Sequence, residues 1–301
     1  MTSAILVTGA SGFVGSHLCA ALVNAGHEVR AMTRHPDRYR GAGCAIAGDV
    51  SDPDSLRSAL DGMDAAYYLV HSLDDNNFVA KDAEAAKAFS AAAAAAGLDR
   101  IIYLGGLGND DGELSAHLRS RREVESLLGS DGVPVTVLRA AIVVGHGGIS
   151  WEMTRELVEH LPAMVAPRWV TTRTQPIALK DVVRYLVGVL EPEAAKGRIF
   201  EIGGPDVLNY AEMMQRVARI RYNRRLPIIS VPLLTPRLSS HWLALVTTVN
   251  APTGRNLIDS MSNEVIVTDP SINDVVPGPT MGYDDAVRQA LADRAADPHA
   301  S

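Results

Sequence analysis

Thr8-Gly9-Ala10-Ser11-Gly12-Phe13-Val14-Gly15 decides the fold of this 301-residue chain. Before it lies Ala4-Ile5-Leu6-Val7-Thr8, a continuous apolar run of buried-strand length. After it, Phe13 to Asn24 has helix length and is closed by Ala25-Gly26. Between a strand and a helix the three glycines have separate tasks. Gly9 permits the tight turn, Gly12 lets backbone approach a pyrophosphate, and Gly15 lets the helix pack closely on the strand. The helix start adds free N–H groups and the positive end of a dipole. Gly9, Ser11, Gly12, Phe13, Val14 and Gly15 are therefore the expected phosphate-side contacts of a dinucleotide.

Outward from this loop, strand-length and helix-length segments alternate as far as residue 145. Strands are expected at Glu28 to Thr33, Cys44 to Ala47, Ala65 to Val70, Arg100 to Leu104 and Val133 to Ala140. Helices are expected after an Asp54 cap, over Asn76 to Ala96, and over Ala116 to Leu128. Repeated β-α-β units of these lengths specify an α/β fold, a Rossmann-type doubly wound parallel sheet. Residues 1–145 form its core, and 181–204, with a seventh strand near Arg198 to Ile202, return to it. Residues 146–180 and 205–290, where the pattern loosens, are read as a smaller C-terminal substrate-binding lobe.

The second strand ends at Thr33-Arg34, where an NAD site would place an acid for the ribose 2′-hydroxyl. Arg34 suits a 2′-phosphate instead, with Arg30 and Arg38 adding charge. The expected cofactor is NADP(H), with NAD(H) the lesser choice. Asp49 and Val50 follow the third strand. Asp49 either accepts from the adenine amino group, with Val50 against the ring, or caps the turn before Ser51. Val70 and His71-Ser72 follow the fourth strand, at the carboxyl end where ligands bind.

Composition narrows the class further. The net charge is −7, which opposes nucleic-acid binding; the basic stretch Arg216 to Arg225 reads as a solvated helix end. Two cysteines, Cys19 and Cys44, show no metal-ligand spacing, and Cys19 reads as a buried thiol. No signal peptide or membrane-spanning run is visible. The expectation is a cytoplasmic protein taking a small-molecule substrate, without metal, nucleic acid or membrane insertion, with a homodimer left open.

With these residues in hand, the chain resembles the short-chain dehydrogenase/reductase superfamily, in its extended or atypical branch. Val29-Arg30-Ala31-Met32-Thr33-Arg34 resembles the second strand of NmrA-like members. Gly48-Asp49-Val50, the run from Leu138 to Gly145, Gln175-Pro176-Ile177 and Asp181-Val182 extend the likeness over roughly residues 3 to 205. Farther on, Leu238 to Leu243 and Asn263 to Val267 resemble a bacterial NAD(P)-binding subgroup less specifically.

The resemblance implies a Ser or Thr after the fifth strand and Tyr-x-x-x-Lys on the next helix. Here Gly105 and Gly106 follow that strand, His117 stands at the Tyr position and Arg121 at the Lys position, beside Ser120. In one reading His117 is the proton donor, with an ordinary pKa near 6.5, and Arg121 holds ribose and phosphate. His71 is a second donor candidate, and the two glycines open room for a flat substrate. In the other reading the acid is lost and cofactor is bound without turnover. Trp151, Trp169 and Trp242 form either an apolar substrate wall or ordinary core. Arg139, Arg168 and Arg173 are candidate anion contacts, with Arg139 more naturally a structural partner of a carboxylate. The two functions that follow are an NADPH-dependent reductase of a small, mostly apolar carbonyl, enone or quinone, and a non-catalytic redox sensor or accessory subunit. The latter would resemble NmrA or the nucleotide-binding subunit of respiratory complex I.

Overall fold

A computed structural model describes residues 2–72, 75, 77–108, 114–230 and 251–298, without the side chains of 168, 230, 251, 252 and 255. Its centre is a seven-stranded sheet, parallel throughout. The strands are β1 (Ala4–Thr8), β2 (Glu28–Thr33), β3 (Cys44–Ala47), β4 (Ala65–Tyr68), β5 (Arg100–Gly106), β6 (Val135–Ala140) and Ile199–Ile202. From one edge the order is Ile199–Ile202, β6, β5, β4, β1, β2, β3. The strand order therefore reverses beside β1, and the crevice at this switch point is where open α/β sheets bind ligands.

Helices cover both faces. α1 (Phe13–Asn24) and α6 (Leu179–Gly188) bury Leu18, Leu22, Val182 and Leu186 against Ile5, Val7 and Tyr67. On the other face lie α2 (Pro53–Leu60), α3 (Phe78–Ala96) and α4 (Ala116–Leu128). There Leu56, Ala86, Phe89 and Val124 pack with Leu6, Tyr68, Ile101 and Tyr103. The alanines of α3 allow it to lie close to the sheet: Ala85, Ala86 and Ala93 are buried in that cluster.

The α2 start differs from the sequence expectation. Asp52 is the cap, its carboxylate accepting from the Asp54 amide at 3.1 Å. Pro53 takes the first helical position, which suits its fixed φ and missing N–H, and so moves the cap upstream. β4 ends at Tyr68 rather than Val70. Thr8 ties that end to β1: its hydroxyl donates to the Tyr67 carbonyl at 3.0 Å and accepts from the Leu69 amide at 3.1 Å.

A third hydrophobic cluster stands apart, built by α5 (Ile149–His160), α7 (Tyr210–Tyr222) and helices Ala251–Ser260 and Tyr283–Ala296. Trp151 and Trp169 are buried in it, so they are core; Trp242 lies outside the described residues. The basic stretch at the end of α7 is divided among internal partners. Arg216 pairs with Asp206 and Asp284, Arg219 with Asp284, and Arg224 donates to the Val158 carbonyl at 2.9 Å. Among the described residues no helix is long and apolar enough to cross a membrane, and no cluster of metal-ligand side chains occurs.

Candidate active site

The crevice holds two adjoining cavities, of about 850 and about 320 Å³, that share Gly9, Gly12, Leu69 and His71. The glycine loop forms the floor between them. Gly9 has φ +66°, and a Cβ there would fall 2.9 Å from the Leu69 carbonyl oxygen. A Cβ on Gly15 would lie 2.2 Å from the Gly9 carbonyl oxygen, so α1 can approach β1 only with glycine at 15. α1 begins with no side-chain cap and no acid in its first turn. Its free amides therefore face the crevice as an anion site.

The larger cavity is lined by Ser11, Thr33, Arg34, His35, Asp49, Val50, Val70 and His71 among others. Arg34 is exposed at its wall. Asp49 accepts from the Ser51 amide at 2.9 Å and the Ser51 hydroxyl at 2.7 Å. Those bonds, with some help from Arg34, hold its carboxyl below the usual range. Asp49 thus makes the turn contact and lines the cavity as well. Arg30 does not join Arg34. It donates to the Ala59 and Asp61 carbonyls at 2.8 and 2.9 Å, neutralising the C-terminus of α2. Neither Arg30 nor Arg38 lines a cavity. Lys81, which the sequence reading passed over, lines the larger one and is paired with Asp75.

Phe13, Val14, Gly105, Gly106, His117, Arg121 and residues 140–143 line the smaller cavity, with Ile149, Tyr210, Leu257, Met261 and Val265 opposite. The missing side chain at Gly106 leaves little room: a Cβ there would meet Leu118 Cδ2 at 2.8 Å, so Leu118 takes that space. Among the described residues no carboxylate lines this cavity; behind its wall the Arg121 guanidinium meets the Tyr103 hydroxyl and feels the charge of buried Asp82.

Enclosure and this cation together set the state of the imidazoles. Burial, then the Arg121 charge, push His117 down to about 3. His71 keeps an open surface where it lines both cavities. Enclosure, with Arg121 and His117, moves it well below its ordinary value. Both rings are neutral at pH 7. Each can donate one N–H but carries no spare proton, unlike the ordinary pKa expected for His117.

Other side chains fix this geometry. Ser115 caps α4, accepting from the Leu118 amide at 3.3 Å. Its hydroxyl meets that of Ser260 at 3.0 Å, and its amide donates to Asn263 at 3.0 Å. The helix bearing His117 and Arg121 is thereby clasped to the far helical cluster. Arg139 and Arg173 are committed elsewhere. Arg139 grips Glu125 at 2.6 and 3.2 Å, and Arg173 pairs with Glu264 at 2.9 Å; the Arg168 side chain lies outside the described residues. Buried Asp82, missed in the sequence, accepts from the Ser72 amide at 2.9 Å and so sets the turn that carries His71. An acid on the buried stripe Phe78, Asp82, Ala85, Phe89 is the signal that was available.

Comparison with known proteins agrees with this architecture. Residues 9–165 match the family model described as NAD(P)H-binding. The chain is 29% identical over 228 residues to the (4-alkanoyl-5-oxo-2,5-dihydrofuran-3-yl)methyl phosphate reductase of Streptomyces griseus, covering 72% of this chain and 73% of that protein. It is 28% identical over 218 residues to an uncharacterised protein of Mycobacterium tuberculosis, covering 71% of this chain but only 23% of that much longer relative. The Citrobacter sp. triphenylmethane reductase complexed with NADP(H) shares the fold, with a TM-score of 0.76 at 17% identity, over 96% of this chain and 100% of that one. The family model spans more than half of the sequence and the sheet carries its phosphate loop at the switch point. The chain belongs to the NAD(P)H-binding family.

Proposed function

We propose that this chain is an NADPH-dependent reductase of a small, mostly apolar enone, quinone or activated carbonyl. The observation that carries the reading is the Arg121 guanidinium on the wall of a cavity without a carboxylate among its described lining residues. A cation held in a low-dielectric cavity favours a reaction in which negative charge develops on oxygen. Bound NADPH supplies the hydride. Gly9, Ser11, Gly12, Phe13, Val14 and Gly15 hold its pyrophosphate, Arg34 its 2′-phosphate, and Asp49, Val50 and Val70 flank its adenosine half.

On the substrate side, Arg121 donates to the oxygen that becomes enolate or phenolate. Neutral His117 adds an N–H, with neutral His71 a second donor. An enolate or hydroquinone anion delocalises its charge and takes its proton from water, so the residue at the usual Tyr position need not be a strong acid. The helical segments 146–180 and 205–290 act as the substrate-binding lobe, contributing Ile149, Tyr210, Leu257, Met261 and Val265 to the cavity wall. The relatives' names support this class: one is a reductase of an unsaturated oxo-dihydrofuran phosphate, and the other reduces triphenylmethane compounds. The test is NADPH absorbance followed against a panel of quinones and enones. Turnover that falls in Arg121→Gln supports the reading. Tight NADPH binding with no oxidation by any acceptor overturns it in favour of a redox sensor or accessory subunit, the function that two neutral imidazoles and a missing tyrosine would also permit.

A further inference from the structure

Tyr210 is a polar residue that the scheme above does not use. It opens α7, directly after Asn209. Asn209 accepts from the Glu212 amide at 2.9 Å while Glu212 accepts from the Asn209 amide at 2.8 Å, so the backbone at 210 is doubly fixed. The ring stands edge-on to Trp169, with centroids 5.6 Å apart. Only 5% of the residue is open, and it lines the smaller cavity on the side formed by Leu257, Met261 and Val265. Several buried tyrosines use their hydroxyls, although Tyr68, on the far face of the sheet, has no partner among the described residues either. Tyr67 donates to the Leu186 carbonyl at 2.9 Å, Tyr283 to that of Met213 at 3.4 Å, and Tyr185 to Asn273 at 3.4 Å. The Tyr210 hydroxyl has no such partner among the described residues. Burial raises its pKa, so it remains a protonated donor. A rigid phenol that lines a cavity and has no acceptor among the described residues is placed to donate to a bound ligand.

We infer that Tyr210 is a specificity-determining residue that donates a hydrogen bond to a second oxygen of the substrate, away from the oxygen held by Arg121. This rests on the reductase reading and narrows it to dicarbonyl acceptors, such as 1,4-quinones and ene-diones, over simple enones. A site that presents a buried donor rejects an analogue lacking the matching oxygen, because the donor is then left unpaired. Beside Tyr210, Leu257, Met261 and Val265 are apolar, and the Ser260 hydroxyl is engaged with Ser115 and the Asn256 carbonyl, so none of these makes the distinction.

The experiment compares 4-oxoisophorone with isophorone, which lacks one of its two carbonyls, binding to the complex of the protein with NADP+. With the oxidised cofactor no hydride moves, so calorimetry reads binding alone. Tyr210→Phe is expected to weaken 4-oxoisophorone about tenfold, the worth of one hydrogen bond, and to leave isophorone within about twofold. Equal weakening of both ligands, or of neither, overturns the inference. Should the variant fail to fold, the ring Cζ resonance of Tyr210 in the wild type serves instead: it shifts with 4-oxoisophorone and not with isophorone, and immobility with both overturns the inference. Reduction of 4-oxoisophorone by NADPH without dependence on Tyr210 would sink this inference alone. A wild type that neither binds nor reduces either compound would sink the reductase reading itself.

Discussion

Arg121 and His117 stand one helical turn apart on α4, and the charge of the first adds to burial in keeping the second neutral. Replacing Arg121 by Gln is expected to lower kcat/KM for an enone or quinone about 10- to 100-fold, the loss of roughly 1.5–3 kcal/mol of charge-assisted hydrogen bonding. Steady-state kinetics measures it, and an unchanged value would remove Arg121 from the mechanism. His117 supplies a pH test in the protein without cofactor. An unfolded chain takes up its proton near pH 6.5, the folded one only near 3, so folding loses stability as pH falls through that interval. His117→Phe should therefore lose less melting temperature between pH 6.5 and 4 than the wild type does. The His117 ring resonances should remain at their neutral positions from pH 8 to 5. A titration near pH 6.5 would show that Arg121 and the enclosing walls do not govern this ring.

Elements divide into those with local signals and those without. The turn from β1 into α1 was legible because its glycines answer local steric demands: a Gly15 Cβ would sit 2.2 Å from the Gly9 carbonyl oxygen. Gly15→Ala should thus displace the loop and weaken NADPH binding at least tenfold, as read by fluorescence titration. Asp52→Ala should cost about 1 kcal/mol in denaturant unfolding and leave NADPH affinity untouched; a shift in that affinity would mean α2 communicates with the crevice. The alternation of apolar runs likewise gave seven parallel strands with small errors at their ends. The α2 cap was misplaced by two residues because Pro53 decides the register there. Arg30 was misread because its target, the C-terminus of α2, is defined only once the helix has packed. Asp82 and Tyr210 escaped altogether. Their roles come from what the fold brings opposite them, Ser72 for one and the cavity for the other, and no local period encodes that.

At the scale of the molecule, one crevice joins a sheet-borne nucleotide half to a cavity closed by the far helical cluster, with the Ser115–Ser260–Asn263 clasp between them. The clasp places a prediction at this scale: Ser115→Ala should raise KM for the substrate more than it changes NADPH affinity, because it loosens α4 against the helices that complete the cavity. Loss of NADPH binding to the same extent would show the two halves to be a single unit. The nucleotide that the larger cavity accepts comes before any reaction in the smaller one. Arg34 stands where an acid would bind a ribose hydroxyl, so the direct measurement is calorimetric titration of the protein with NADPH and with NADH, repeated in Arg34→Ala. NADPH is expected to bind at least tenfold more tightly than NADH, with the preference lost in the variant. NADH bound as tightly as NADPH, or a preference that survives Arg34→Ala, would contradict it.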